Sequence, residues 1–244
     1  MHADTLIIIP SLNEQENLDG FLREILPLAR ALPADVLGIN DASIDETGRI
    51  FQDHGVPVLT HVMQMGYGTA LQTGYKYALR HNYSFLVQID GDGQHDPRFI
   101  PLLLERLRRD RVDVVIGSRF LKTDAFTPHR PLYRGTPLRL LGIRLFRALL
   151  ALFCFRFISD PTSGYIAMNR RVFTYFSGNA FPFDYPDADV ILTLLRNRFA
   201  LREEGVYMYC NHRRGKLHRG CKPLWYVFKV TLSLLVSTLR PREL

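Results

Sequence analysis

Asp90 and Asp92 stand one residue apart, with Gly91 between them and Gly93 behind, at the end of the apolar run 85–89. A short apolar run of this kind predicts a buried strand. A strand that ends so presents both carboxylates at its C-terminal edge, where open α/β sheets bind ligands. Hard oxygen ligands held this close suit Mg²⁺ or Mn²⁺, ions that keep waters and share substrate phosphates. The same residues also make an ordinary Asp/Gly turn. The three-residue pattern alone does not separate the two.

Other segments bear on the carboxylate pair. Pro10-Ser11-Leu12-Asn13-Glu14 follows a first predicted strand, and Asn40-Asp41-Ala42-Ser43-Ile44-Asp45 follows a second. In a parallel sheet these ends share one edge with Asp90 and Asp92. A carboxylate there can accept from a nucleobase N–H or a ribose hydroxyl, although Asp41 and Ser43 are equally good helix N-caps. Gly66-Tyr67-Gly68 lets backbone approach a ligand, but the next glycine, Gly74, lies too far along for a dinucleotide fingerprint. Gly117-Ser118-Arg119 follows a fifth strand and brings a guanidinium suited to phosphate. Residues 211–219, with Lys216 among them, form a basic, glycine-containing stretch suited to neutralising a diphosphate; a solvated loop or a nucleic-acid patch is the plainer alternative. Cys210, His212, His218 and Cys221 match no common zinc spacing.

The elements that must position these groups follow from the apolar pattern. Strands are predicted at 5–9, 36–39, 56–60, 85–89 and 112–116. Helices fall between them, the first carrying Leu18, Phe21, Leu22, Ile25 and Leu26 on one face. This alternation implies βαβ units, a mostly parallel sheet and a doubly wound α/β fold. Residues 121–137 read as a loop. Residues 138–157 read as an amphipathic helix with Arg139, Arg144 and Arg147 within one face, opposite a Leu/Phe/Ile surface. Such a helix lies on a membrane surface or packs in the core with a solvated edge. Residues 225–239 make a second such segment, too short in its uncharged part to span a bilayer.

The chain has 244 residues, 47% of them hydrophobic and 23% charged, which is ordinary for a globular protein. Its net charge of +7 invites an anionic partner. An acidic strand-edge cluster would repel phosphate in the absence of a metal, which argues against nucleic acid as that partner. Three scattered cysteines make no disulfide framework and favour a reducing compartment. The N-terminus lacks the features of a signal peptide.

Taken in order, Ile8-Ile9-Pro10-Ser11-Leu12-Asn13-Glu14, Asn40-Asp41-Ala42-Ser43-Ile44-Asp45-Glu46-Thr47, Gly66-Tyr67-Gly68-Thr69-Ala70-Leu71, Asp90-Gly91-Asp92-Gly93-Gln94-His95-Asp96-Pro97, Gly117-Ser118-Arg119 and Asp160-Pro161-Thr162-Ser163-Gly164-Tyr165 form a specific set. The set resembles family 2 glycosyltransferases of the dolichol-phosphate mannose synthase-like group, over about residues 4–220. The resemblance implies a GT-A fold, with a nucleotide-sugar-binding half (1–120) joined to an acceptor half (121–220). A C-terminal amphipathic helix (221–244) would follow, on a membrane surface or an integral membrane partner. By position, Pro10, Asn13, Glu14 and Asp41 would hold the nucleoside. Asp90, Asp92 and Gln94 would coordinate Mg²⁺ or Mn²⁺, giving Asp92 a catalytic part. Arg119 and Lys216, or a basic neighbour of Lys216, would bind phosphate oxygens, and residues 160–164 would shape the acceptor side.

The sequence departs from the family pattern at Asn40, commonly acidic, and at Tyr185-Pro186-Asp187-Ala188-Asp189, where relatives often carry glutamates. Asp187 is the candidate general base and Asp189 the second choice. The implied reaction is an inverting, metal-dependent transfer from a nucleotide-diphosphate sugar to a polyprenyl phosphate, by a cytoplasmic protein held peripherally at the inner face of a membrane. A saccharide hydroxyl in cell-surface polysaccharide synthesis is the alternative acceptor. A non-catalytic nucleotide-sugar-binding subunit is a third reading.

Overall fold

The computed structural model describes residues 3–178, 181, 186–210, 229–233 and 236. Its first strand, β1 (Thr5–Ser11), is buried along all seven residues. A β-branched run of this kind suits a parallel strand covered on both faces. Helix α1 (Gln15–Ala31) leads to β2 (Ala34–Asn40), α2 (Thr47–Asp53) to β3 (Val58–Thr60), and α3 (Tyr67–Arg80) to β4 (Phe85–Gln88). A short 3₁₀ turn over Pro97–Phe99 opens α4 (Ile100–Arg109), which precedes β5 (Val114–Ser118). Then come α5 (Pro137–Cys154), β6 (Ile166–Asn169), α6 (Arg170–Phe176), α7 (Ala188–Arg196) and β7 (Leu201–Gly205).

The strands form one sheet in the order β3-β2-β1-β4-β6-β5-β7. Every pairing is parallel except those of β6, which runs antiparallel to both β4 and β5. Alternation along each strand splits the core. Ile7 and Ile9 face the side covered by α1, α2 and α4, while Leu6 and Ile8 face α3, α5, α6 and α7. Residues on both sides of position 120 build this one sheet.

The mostly parallel doubly wound sheet is as the sequence leads one to expect; β6 and β7 are not. The four residues Ile166-Ala167-Met168-Asn169 are too short to show a period. Strand β7 reads Leu-Arg-Glu-Glu-Gly because it is an edge strand, where charge blocks further pairing. Asp41 and Ser43 do not cap α2, which begins at Thr47.

Helix α5 packs one face in the core and keeps Arg144 on an exposed edge, while Arg139 and Arg147 are drawn onto neighbouring groups. Thr136 caps it with Pro137 at the first position, and Phe155 ends it in the left-handed region at φ 52°. Gly142, Ile143, Phe146 and Leu150 face the core. Arg139 lies over the Tyr133 ring, and Arg147 reaches back to the Ser159 carbonyl and over Phe120. Beside exposed Arg144 the helix shows apolar residues outward: Leu138, Leu141, Leu145 and Leu152, followed by Phe155 and Phe157. Of the second amphipathic segment only 229–233 and 236 are described, and there Val230 is buried in the core. Among the described residues no helix is long and apolar enough to cross a membrane.

The close approach of α2 to the sheet depends on Gly38. A Cβ there would stand 2.8 Å from the Phe51 ring. Gly38→Ala is expected to destabilise the chain by about 1–3 kcal/mol through overpacking, read as a lower urea midpoint in equilibrium unfolding.

Candidate active site

Strands β1, β2, β4 and β5 all end on one edge of the sheet, and antiparallel β6 begins there. Asp90 and Asp92 leave the end of β4 on that edge. Gly91 passes so close to the Ser11 hydroxyl that a Cβ would collide with it, which is why glycine separates the two carboxylates. Asp92 Oδ1 accepts from the Gln94 amide at 2.9 Å. Asp90 Oδ1 accepts from the Tyr67 hydroxyl at 2.7 Å. Behind this contact, Tyr75 donates to Gln88 Oε1 (2.7 Å), and Gln88 Nε2 donates to the Gly164 carbonyl (3.0 Å) and toward the Tyr67 oxygen (3.4 Å).

His95 is buried and stacks on Tyr165 at 5.1 Å. Burial pushes its pKa down to about 4, so the ring is neutral at pH 7. Its Nδ1 accepts from the Asp90 amide at 3.3 Å. The 3.8 Å approach of that nitrogen to Asp90 Oδ2 is therefore not an ion pair. Asp96, fully buried, clamps the same segment from below: it accepts from Tyr209 and from Arg98, which also meets His129. The Tyr209 amide donates to the Gln94 carbonyl at 2.7 Å. The chain thus passes alongside the acidic segment just before residue 211.

Arg119 reaches the edge from β5, but its guanidinium is already engaged. Nε donates to Asp160 Oδ2 at 2.6 Å and an Nη to Oδ1 at 3.2 Å, with both side chains buried. Its charge still acts on Asp90. The turn that supplies Asp160 is held from β7, where Glu203 accepts from the Ser159 amide, the Ser159 hydroxyl and the Asp160 amide. Gly164 closes this turn against the carboxylates; a Cβ there would lie 3.0 Å from both Asp90 Oδ2 and the Tyr67 oxygen.

On the other flank, Pro10 is buried at the end of β1, and Asn13 and Glu14 lace the first loop to the second. Asn13 Oδ1 accepts from the Ile44 amide, and the Glu14 amide donates to Thr47 Oγ1. Asp41 is buried and spends its carboxylate on the Met65 and Gly66 amides and on His61. It organises the loop before α3. Asn40 both accepts, from the Ser43 amide, and donates, to Thr60.

Asp187 stands at the N-terminal boundary of α7, near enough for its charge to act on Tyr67 and Arg119. Asp189 is buried and turned away: it accepts from the Asp187 and Val190 amides and from Ser233 of the C-terminal segment. Asp189 therefore ties that segment to the Asp187 amide at the start of α7 and is not presented to a ligand. Lys216 and the rest of 211–219 lie outside the described residues. Tyr67, Gln88 and His95 join the site although the sequence assigned none of them a role, Tyr67 and His95 lying unremarked inside longer motifs. A glutamine inside the apolar run Phe85-Leu86-Val87-Gln88-Ile89 is the signal that finds the network.

Among the described residues no three of His, Cys, Asp and Glu gather to hold a metal by themselves. The donor set still fits Mg²⁺ or Mn²⁺, which bind through one or two carboxylates and complete their shell with water and substrate phosphate. Asp90 supports this: burial raises its pKa above the usual 3.8, against the Tyr67 hydrogen bond and the Arg119 charge. A carboxylate so placed gains from a cation.

The sequence family described as glycosyl transferase family 2 matches residues 6–176. The chain is 41% identical over 122 residues to the undecaprenyl-phosphate mannosyltransferase of Micrococcus luteus, over 47% of each chain. It is 32% identical over 176 residues to the polyprenol monophosphomannose synthase of Mycolicibacterium smegmatis, over 69% of this chain and 62% of that one. The matched stretch spans less than two thirds of either relative. Among solved structures, the glucosyl-3-phosphoglycerate synthase of Mycobacterium tuberculosis, in complex with Mn²⁺, UDP and phosphoglyceric acid, superposes with a TM-score of 0.69. That likeness, at 22% identity, covers 98% of this chain and 80% of the other. The fold is GT-A.

A folded pKa above the unfolded value means that ionised Asp90 costs stability at neutral pH, a cost relieved as pH falls toward 3.8. In EDTA, Asp90→Asn is expected to raise the urea midpoint at pH 7 and to lose that advantage as the pH approaches 4. A variant less stable than the parent at pH 7 would contradict this.

Proposed function

This chain belongs to glycosyl transferase family 2, and from that premise we propose that it moves a sugar from a nucleotide-diphosphate sugar to a polyprenyl phosphate at a membrane surface, with inversion. The observation that carries the reading is the meeting of three groups on one sheet edge. Asp90 lies against the turn ending at Gly164, the same turn supplies Asp160 to Arg119, and the Arg119 charge acts on Asp90.

Asp90, Asp92 and Gln94 would hold Mg²⁺ or Mn²⁺, which when bound offsets charge developing on the leaving diphosphate. Pro10, Asn13 and Glu14 border the space for the nucleoside, with Asp41 shaping its floor through the 65–66 loop. Arg119 keeps a cation near the reacting groups, its geometry fixed by Asp160. Lys216 is proposed as a further phosphate ligand, because the described chain runs beside Gln94 at Tyr209, shortly before it in sequence.

The lipid side rests on a second observation. From Ala125 to Ile158 there is no acidic residue, yet there are six arginines: Arg130, Arg134, Arg139, Arg144, Arg147 and Arg156. The same stretch exposes the α5 leucines with Phe155 and Phe157. An apolar face set among arginines suits an anionic bilayer. Burying a Leu or Phe side chain fully contributes about 1.5–3 kcal/mol. This supports peripheral attachment at the inner face of a membrane, and the C-terminal segment, held to the core through Val230 and Ser233, is proposed to meet an integral partner. The alternative acceptor, a saccharide hydroxyl, draws on Asp187, placed where it acts on Tyr67 and Arg119.

A hydroxyl needs a base within reach, whereas a phosphate is already an anionic nucleophile. Transfer is measured from a panel of UDP-, GDP- and dTDP-sugars, with Mg²⁺ or Mn²⁺, to polyprenyl phosphate in anionic vesicles. One donor is expected to give metal-dependent product. Asp187→Asn should keep most of the rate. A loss of about 10²–10⁴-fold in that variant, or transfer to saccharide alone, would favour the hydroxyl reading; donor binding with no transfer would favour the non-catalytic one.

A further inference from the structure

The Tyr67 hydroxyl occupies a place that neither the motif pattern nor the proposed donor contacts explain. Tyr67 is 37% exposed as a whole, yet its oxygen is enclosed between Asp90 and the Gly164 turn. The hydrogen bonds around it run in one direction. Tyr75 donates to Gln88 Oε1, so the Gln88 amide nitrogen must donate onward; it meets the Gly164 carbonyl and the Tyr67 oxygen. The Tyr67 hydroxyl in turn donates to Asp90 Oδ1. A chain of donors aligned this way polarises each member toward the carboxylate.

The consequence is rotational. With Oδ1 fixed by Tyr67, Asp90 has its second oxygen, Oδ2, on the side of His95 and Gly164. Among the described residues Oδ2 accepts no hydrogen bond, and His95 Nδ1 stays 3.8 Å away. We propose that Tyr67 is a positioning residue, whose hydroxyl holds Asp90 in the rotamer that offers Oδ2 to the divalent ion of the donor and couples that carboxylate to the acceptor turn through Gln88 and Gly164. The proposal rests on the metal-assisted reading above. It accounts for two features together: a buried glutamine in the middle of the sheet, and a glycine at 164 where any side chain would press on both oxygens. It also gives the donor and acceptor sides one shared contact. A rotation of Asp90 cannot occur without breaking the bond to Tyr67, and a shift of the turn moves the carbonyl on which Gln88 is anchored.

The test uses the whole chain and Mn²⁺ itself. Free Mn²⁺ is followed by its electron paramagnetic resonance signal during titration, alone and with UDP or GDP, for the parent, Tyr67→Phe and Tyr75→Phe. Melting temperatures are recorded alongside. The expected result is a Tyr67→Phe chain that melts near the parent but retains Mn²⁺ about tenfold more weakly, as loss of a partner behind a metal ligand ordinarily gives. Its transfer should need correspondingly more Mn²⁺ for half-maximal rate, with a far smaller loss at saturating Mn²⁺. Tyr75→Phe, one link further back, should fall between. Equal Mn²⁺ retention by parent and Tyr67→Phe overturns the proposal and leaves the metal reading standing. A parent that retains no Mn²⁺ with either nucleotide overturns both. Loss of Mn²⁺ only together with a large drop in melting temperature makes the hydroxyl structural and overturns the proposal alone.

Discussion

One antiparallel strand governs the arrangement of this molecule. If β6 ran with its neighbours, its beginning would lie at the far edge of the sheet, and the turn at 159–165 with it. Because β6 pairs antiparallel with β4, Ile166 stands opposite Gln88, and the turn arrives beside Asp90. Pairing on its other side sets Ile166 against Ile116, which brings Arg119 to the same turn. The contacts from Asp90 to Gly164 and from Arg119 to Asp160 both follow from that reversal.

The reversal brings charge together, and charge at a sheet edge must be compensated. Asp96 and Asp160 are fully buried, and each has an arginine and further donors. Breaking such a pair by removing one partner typically costs about 3–5 kcal/mol, because the other charge is left buried. Asp90 differs: it has one tyrosine proton and the distant charge of Arg119, and burial still raises its pKa. The chain thus satisfies its structural carboxylates and leaves the one at the strand end short of positive charge. A divalent ion carrying a diphosphate supplies what is missing.

Much of this was legible in the residues. The buried run of β1 and the repeated alternation of strand and helix declare the doubly wound sheet, and Asp90-Gly91-Asp92 declares the edge. Strand β6 was not legible, since four residues fix no period and antiparallel pairing is set by contacts far apart in sequence. The roles of Asp41, Arg119 and Asp189 were hidden for a related reason. Residue type shows that a carboxylate or guanidinium is present, but only tertiary contacts show whether its lone pairs or protons are already committed. Helix α5 has the expected amphipathic composition, yet much of its exposed face is leucine beside Arg144, because Arg139 and Arg147 fold back onto aromatic rings and a carbonyl.

The central claim is that the acidic end of β4 holds the ion that accompanies the donor diphosphate. Anomalous scattering from crystals grown with Mn²⁺ and a nucleoside diphosphate locates that ion without reference to activity. The account predicts one peak within about 2.0–2.3 Å of carboxylate oxygens of Asp90 and Asp92, with the diphosphate completing its shell. A diphosphate bound at this edge with no peak there, or a peak held by other residues, would contradict it.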